Sequence, residues 1–311
     1  MGGYNREVVP GENQTFTCLY SSSMTFKHLV GKSTLKEGIT IHKNFESFFE
    51  SPDLGQKKDI TLLYGENQSV QVVLRRLNNV RKHVQIKYTN KTQASFVDWL
   101  NDTFGETRKG TVGEFLEIEK ISPDVFKLIP ITKDMVHDAK LYIADSMFHK
   151  TDKETLSHND SFVELEKIIS GISFKVDEGQ AFYNREIERA FSSLSWQKEG
   201  KVISELDLKY DYRKAAVQVE VEFGNARSYY QDYIKFMLSY FSKQIDLGTL
   251  ITPTLGFANI LCEIGRQKAL QRGRKTYSGM MHFEKAFKEF QYLRPIFDIP
   301  IVILGIDISP L

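Results

Sequence analysis

The sequence predicts an α+β protein of two domains, the first rich in β-strands and the second an α/β domain with a mixed sheet. Its 311 residues are enough for two domains that each bury a core. Short strand patterns follow one another up to about Ile131, whereas helices alternate with strands after Asp160. We therefore expect domains at 1–133 and 161–311, joined by a connector at 134–160.

The expected strands of the first domain carry alternating or β-branched apolar residues between turn signals, a pattern typical of a small barrel or sandwich. They are 38–42, 59–64, 69–77, 83–89, 114–121 and 125–131. Helices are expected at 44–49 and 94–104. The stretch 132–160 begins helix-like and becomes polar, which favours a connector between domains.

In the second domain, the apolar spacing predicts two helices, two paired strands, a long amphipathic helix, a buried strand, a helix and a last apolar strand. The segments are SFVELEKIISGI, YNREIERAFSSLSW, LDLKYDY, AAVQVEVEF, ARSYYQDYIKFMLSYFSKQ, LGTLITPT, MMHFEKAFKEFQYL and IPIVILGI. Strands separated by helices in this order predict a mixed sheet covered on both faces.

The composition, 41% hydrophobic and 26% charged, is typical of a soluble globular protein. No apolar run approaches the roughly 18 residues of a membrane span, and the first residues do not resemble a signal peptide. We therefore expect a cytoplasmic protein with no membrane partner. Cys18 and Cys262 are far apart and outside any CxxC pair, which predicts neither a disulfide framework nor a zinc site.

The net charge of +1 hides an uneven distribution of charge. Segment 67–97 contains no carboxylate but six basic residues, and segment 264–283 contains five basic residues and no acid. Either basic run alone is explained equally well by a solvent-exposed surface without a partner as by a binding surface. Two such runs together favour a polyanionic partner.

Three carboxylates stand out, namely Asp211, Glu220 and Glu222. Side chains alternate along a strand, so Glu220 and Glu222 share a face, and a hairpin can bring Asp211 beside them. Converging carboxylates repel one another unless a cation lies among them, and Mg²⁺ prefers such oxygen ligands. An exposed strand whose glutamates face water explains the spacing alone somewhat better.

The segment DYRKAAVQVEVEFGN resembles the active-site hairpin of the BglII and BamHI group of type II restriction endonucleases, within the PD-(D/E)xK superfamily. NREIERAFSSLSWQKEG is similar to the helix before that hairpin, and YSGMMHFEKAFKEFQYLRPIFDIPIVILGI to the closing helix and strand. The resemblance covers roughly 184–306. It implies a restriction-endonuclease-like fold and a sequence-specific, Mg²⁺-dependent endonuclease for double-stranded DNA. It further implies a homodimer in a restriction-modification system, with a cognate methyltransferase as a possible partner.

The resemblance implies that Asp211 and Glu220 are metal ligands and catalytic residues. Glu222 fills the third position, usually a lysine, so it is a general base, a metal ligand or a residue that positions water. Glu199 is a fourth catalytic candidate. The alternative, that it is an exposed loop acid without a catalytic role, is equally well supported by the sequence. The expected DNA contacts of this domain are Asn225, Arg272, Arg274, Lys275 and Ser278, of which Asn225 suits an adenine edge.

The first domain, from LKEGITIHKNFESFF to the helix containing SFVDWL, resembles the pseudobarrel of the EcoRII N-terminal effector domain and of plant transcription factors. In that fold two arms grip the major groove of DNA. The implied DNA-binding residues are Lys27, His28, Lys32, Ser33, Arg76, Asn78, Asn79, Arg81 and Lys82. The domain would bind an effector copy of the target, take part in primary recognition, or require a modified base.

Three other functions stay open from the sequence. The first is a modification-dependent endonuclease that reads methylcytosine. The second is a DNA-binding regulator with an inert nuclease-like domain, and the third is an enzyme that acts on RNA or branched DNA.

Overall fold

The short apolar segments between turn residues form two β-sheets, and helices pack around these sheets. The structure is a computed structural model, and it describes residues 25–41, 43–77, 83–89, 91–105, 114–132, 135, 139–175, 178–224, 229–273 and 280–309. The strands are β1 Thr25–Leu29, β2 Gly38–Ile41, β3 Lys57–Tyr64, β4 Gln68–Arg76, β5 Val84–Lys87, β6 Phe115–Ser122, β7 Val125–Ile131, β8 Leu141–His149, β9 Gln197–Lys198, β10 Tyr212–Lys214, β11 Val217–Val221, β12 Leu247–Pro253 and β13 Ile301–Ile308. The helices are α1 Ala94–Phe104, α2 Lys153–Ser157, α3 Asp160–Gly171, α4 Gln180–Ser193, α5 Tyr230–Phe241, α6 Leu255–Gln271 and α7 Phe283–Leu293.

The first sheet has the strand order β1-β6-β7-β3-β4-β5-β2 within the described residues. It is mixed, because β3 pairs in parallel with β7 while its other neighbour, β4, is antiparallel. Helix α1 packs Phe96, Leu100 and Phe104 into the core that the sheet encloses. The six strands and the helix at 94–104 expected from the sequence are confirmed. The expected helix at 44–49 is only a short 3-10 turn at Lys43–Phe45, and β1 was not expected.

The second sheet has the order β8-β13-β12-β11-β10-β9. Strands β11, β12 and β13 are parallel, while β8 and β10 pair antiparallel with their neighbours. Helices α5 and α7 share one apolar cluster, and α3, α4 and α6 share the other. The mixed sheet covered on both faces is confirmed, and the protein is thus α+β with two mixed sheets.

Part of the segment expected to be a connector belongs to the second sheet. Residues 141–149 form β8, which pairs along its length with β13. Most of its side chains are only half-buried, as at a sheet edge, so the alternation of apolar and polar residues that marks a strand is missing there. The strand expected in LDLKYDY is largely wrong, because β10 begins only at Tyr212, the last residue of that segment, and continues to Lys214.

The two sheets pack against each other through α6, a helix that the sequence pattern did not reveal. Leu255 of α6 lies in the core of the first sheet, and Phe115 of β6 lies in the core of the second. Lys27 of β1 donates a buried hydrogen bond to Asp307 of β13. Of the helices in the described ranges, none is long and apolar enough to cross a membrane.

Candidate active site

The hairpin of β10 and β11 brings Asp211 and Glu220 together. Tyr212 pairs with Val219 in the antiparallel register, so Asp211 and Glu220 are the next pair toward the open end of the hairpin. Asp211 Oδ2 accepts a hydrogen bond of 2.8 Å from the backbone N–H of Val221. The sequence spacing predicted this approach, and the structure shows it.

The carboxylate of Glu220 is held at both oxygens. Its side chain is buried, with 1% of the residue exposed. Oε1 accepts a hydrogen bond of 2.9 Å from Gln218 Nε2, and Gln218 Oε1 accepts one of 2.6 Å from Ser239 Oγ. Oε2 lies 2.8 Å from the ammonium of Lys235 on α5. The orientation of Glu220 therefore depends on two residues of the neighbouring helix.

Asp232 completes this cluster, because its Oδ1 lies 2.9 Å from Lys235 Nζ. Neither Asp232 nor Lys235 was predicted from the sequence as a site residue. The available signal was the helical spacing of Asp232, Lys235 and Ser239. This spacing places them on the same face of α5 as the buried Tyr233 and Phe236. Charged residues within the apolar stripe of a helix are uncommon unless they have partners.

Negative charge exceeds positive charge in the cluster. Burial and the neighbouring Asp211 raise the pKa of Glu220 well above its usual value, against the effect of Lys235. Burial raises the pKa of Asp211 and of Asp232 as well. Burial opposes the charge of Lys235, but Glu220 and Asp232 outweigh it and raise the pKa of its ammonium. Three carboxylates thus surround one ammonium.

Glu199 lies beside Asp211, whereas Glu222 is bonded to the backbone of the turn after β11. Glu222 follows the end of β11, where its Oε1 accepts a hydrogen bond of 2.7 Å from Gly224 N. Glu199 is exposed, and its backbone N–H donates to the carbonyl of Asp211 at 3.1 Å. Its Oε1 lies 3.3 Å from Lys198 Nζ, and its charge also raises the pKa of Asp211.

The donor set suits a hard divalent cation, although the geometry alone does not define a metal site. No group of three or more His, Cys, Asp or Glu side chains is arranged to hold a metal ion in the part of the chain that the structure describes. However, Asp211 and Glu220 offer carboxylate oxygens, and their proximity raises the pKa of Glu220. Mg²⁺ prefers such oxygens and needs only one or two carboxylates from the protein.

Several of the expected DNA-binding side chains of the first sheet are already engaged. Lys27 is 8% exposed and bonded to Asp307, so a DNA contact by its ammonium would require this buried bond to break. The ring of His28 lies 2.9 Å from Thr34 Oγ1, and Arg76 pairs with Glu46 at 2.6 Å. DNA contacts by these two residues would require the bonds to break. Asn78, Asn79, Arg81 and Lys82 lie outside the described residues.

Other expected contacts are exposed. Lys32 and Ser33 are exposed in the turn between β1 and β2, and Arg272 is exposed just after α6. In the basic run around α6, Arg266 pairs with Glu263. Asn225, Arg274, Lys275 and Ser278 lie outside the described residues.

A comparison with protein families identifies a restriction endonuclease family. The family model "Restriction endonuclease BglII/BglIII" matches residues 145–306. One similar solved structure is that of restriction endonuclease BglII complexed with a DNA 16-mer, with 15% identity and a TM-score of 0.40 over 53% of this chain and 77% of that chain. Another is the N-terminal domain of Helicobacter pylori LlaJI.R1, with 13% identity and a TM-score of 0.27 over 35% of this chain and 81% of that chain. No curated protein sequence matches significantly.

The matched residues make up just over half of the chain, and they include the hairpin, α5 and the whole charged cluster. The chain belongs to the BglII/BglIII family of restriction endonucleases.

Proposed function

We propose that this nuclease cuts double-stranded DNA at a specific sequence and uses Mg²⁺ held by Asp211 and Glu220. The pairing of these two carboxylates at the end of the hairpin carries the proposal, because it lies within the segment that matches the nuclease family. The two basic runs, at 67–97 and 264–283, support a polyanionic partner.

Asp211 and Glu220 would hold the ion, and Glu222 and Glu199 would lie beside it. When bound, a divalent cation lowers the pKa of a water ligand and stabilises negative charge on the phosphate. The chain contributes the orientation of the ligands, since the Val221 N–H holds Asp211, while Gln218 and Lys235 hold Glu220. Glu222 is the candidate to orient or deprotonate the attacking water, because it follows Glu220 by two residues, just after the end of β11.

We further propose that residues 1–133 form a pseudobarrel domain that grips DNA, followed by an endonuclease domain that includes residues 161–311 and strand β8 of the expected connector. Gly38 of β2 pairs with Lys87, and Ile41 pairs with Val84. The loops before β2 and before β5 therefore lie at opposite ends of this four-residue pair. Four residues span about 13 Å, close to the width of about 12 Å of the major groove. The points where the chain enters β2 and β5 are thus separated by a distance similar to that width.

The active unit is proposed to be a homodimer in which each copy cuts one strand. Tyr230, Ile234 and Phe241 are 42%, 44% and 65% exposed, and together they form an apolar stripe on the outer side of α5. Such a stripe fits a self-complementary contact between two copies, and duplex DNA favours two-fold symmetry. A methyltransferase of the same restriction-modification system would be the further partner.

Digestion of unmodified and cytosine-methylated DNA, with and without Mg²⁺, tests the proposal. The wild-type protein is expected to cut unmodified duplex only with Mg²⁺, at one sequence. Asp211→Ala and Glu220→Ala are expected to bind the same DNA without cutting it, whereas Asp246→Ala, an exposed acid of the same domain, should cut normally.

Other results would point to the alternative functions. Cleavage restricted to methylated DNA would identify a modification-dependent enzyme. Binding without cleavage by the wild-type protein would identify a regulator, and cleavage that persists in both alanine variants would overturn the assignment of the site.

A further inference from the structure

We propose that Lys235 is a positioning residue of the nuclease site, which holds Glu220 in place and supplies the positive charge that the strand motif lacks. The third position of that motif, usually a lysine, is Glu222 here. In this chain the ammonium reaches the site from helix α5 instead. The inference rests on the proposed function, because it takes Glu220 as a ligand of the catalytic cation.

The contacts of Lys235 set it apart from an ordinary surface lysine. Its side chain is 13% exposed, and Nζ lies 2.8 Å from Glu220 Oε2 and 2.9 Å from Asp232 Oδ1. Asp232 is itself 7% exposed and stands one helical turn before Lys235. A buried ammonium bonded to two buried carboxylates has little freedom to take another position.

Asp232 acts as the anchor of this arrangement. Without it, the long lysine side chain would be fixed only at its bond to Glu220, and ordering such a side chain costs rotamer entropy. With Asp232 in place, Lys235 is already directed toward the strand. Glu220 is then fixed from both sides, by Lys235 at one oxygen and by Gln218 at the other.

The same contact has a consequence for the cation. A divalent ion that takes Glu220 Oε2 as a ligand must share this oxygen with the ammonium or displace it, and the two positive charges repel. Lys235 therefore lowers the affinity of the site for a divalent ion while it keeps Glu220 oriented. Loss of the ammonium is expected to change these two properties in opposite directions.

The test compares Lys235→Met, which removes the charge at similar length, with Lys235→Arg, which retains it. Lys288→Met serves as the control, because Lys288 is exposed on helix α7. Cation binding is measured without DNA, as the rise of the thermal unfolding midpoint with Ca²⁺ concentration, since a ligand of the folded state stabilises it. Cleavage is measured separately with Mg²⁺, as kcat and KM.

For Lys235→Met we expect Ca²⁺ to bind about tenfold or more tightly than in the wild type, because the removed charge repelled the ion. We also expect kcat to fall by about tenfold or more, with KM changed less than about twofold, because Lys235 acts through Glu220. Lys235→Arg should recover much of the lost kcat and the weaker Ca²⁺ binding. Lys288→Met should match the wild type in both measurements.

Unchanged Ca²⁺ binding in Lys235→Met, or a kcat equal to that of the wild type, would overturn the inference. A folded Lys235→Met protein that loses activity without tighter Ca²⁺ binding would also contradict it, because a packing role alone gives that result. The Glu220→Ala variant distinguishes a wrong role for Lys235 from a failure of the proposed function. If Glu220→Ala still cuts DNA, the site itself is wrongly assigned, whereas an inactive Glu220→Ala beside a normal Lys235→Met rejects only the role of Lys235.

Discussion

Lys27 Nζ in the first sheet lies 2.8 Å from Asp307 Oδ1 in the second sheet, and both residues are buried. Thr254 Oγ1 donates to the other carboxylate oxygen at 2.8 Å, and the backbone N–H of Ile308 donates to Oδ1 at 2.7 Å. The carboxylate is thus fully bonded, and it fixes the position of the first sheet relative to the second.

Lys27→Met is expected to destabilise the protein by about 3–5 kcal/mol, because it leaves Asp307 charged and buried without its cation. Urea unfolding of the variant measures the loss. Lys58→Met is the matched control, since Lys58 belongs to a partly exposed ion pair of the same sheet and should cost at most about 1 kcal/mol. Equal losses in the two variants would show that the buried pair has no special role.

Gly248→Ala is expected to cost about 1–3 kcal/mol, since a methyl group there would lie 2.5 Å from the ring of Phe236. The substitution would push α5 away from β12, so cleavage should fall as well. Gly265→Ala in α6 meets no atom within 4 Å and should stabilise the helix by about 0.5–1 kcal/mol. Thermal unfolding should show a lower unfolding midpoint than the wild type for Gly248→Ala and a higher one for Gly265→Ala.

Glu220→Gln is expected to raise the stability of the metal-free protein at neutral pH. Burial and the neighbouring Asp211 raise the folded-state pKa of Glu220 above its unfolded value, so between these two values the folded protein binds a proton that the unfolded chain releases. The stability of the wild type therefore falls as the pH rises from the unfolded pKa to the folded pKa, whereas the variant lacks this contribution. The difference should vanish below about pH 4, where the carboxyl is protonated in both states. Unfolding midpoints measured across this pH range, without divalent ions, would contradict the expectation if the difference were constant.

Ile234→Lys is expected to give a monomer, because a charge in the apolar stripe of α5 opposes contact with a second copy. Sedimentation at several protein concentrations measures the change. Cleavage of both strands in one binding event should be lost, leaving nicked DNA as the main product. Leu54→Lys is the control, since Leu54 is similarly exposed, at 46%, but lies in the first sheet's domain.

The sequence predicted most strands correctly because their apolar residues alternate cleanly between turns, as in β3, β4 and β7. Two elements lacked such a signal. Strand β8 is half-buried along most of its length, so its sequence lacks the alternation of apolar and polar residues that predicts a strand. Helix α6 contacts both sheets, which leaves no clear polar face in its sequence.

The approach of Asp211 to Glu220 was predictable in part, since a hairpin of this spacing can place the two residues side by side, although the spacing alone favoured an exposed strand. Lys235 and Asp232 were not predictable from the hairpin, because they reach it across a helix-to-sheet contact rather than along a strand. Such contacts depend on the tertiary packing of α5. Burial of Lys27 was missed for the same reason, since its partner Asp307 is 280 residues away.

The order of the second sheet has a consequence for how the chain folds. Strand β13, the last strand of the described chain, inserts between β12 and β8, so β8 has no partner in this sheet until β13 arrives. The buried partner of Lys27 is on that same strand. During synthesis on a ribosome, strand β8 and the Lys27 side chain must therefore wait for one late segment, and pairings of such large sequence separation form slowly. We expect refolding to be rate-limited by the docking of β13, with an intermediate that exposes the edge of β12 and is prone to aggregation.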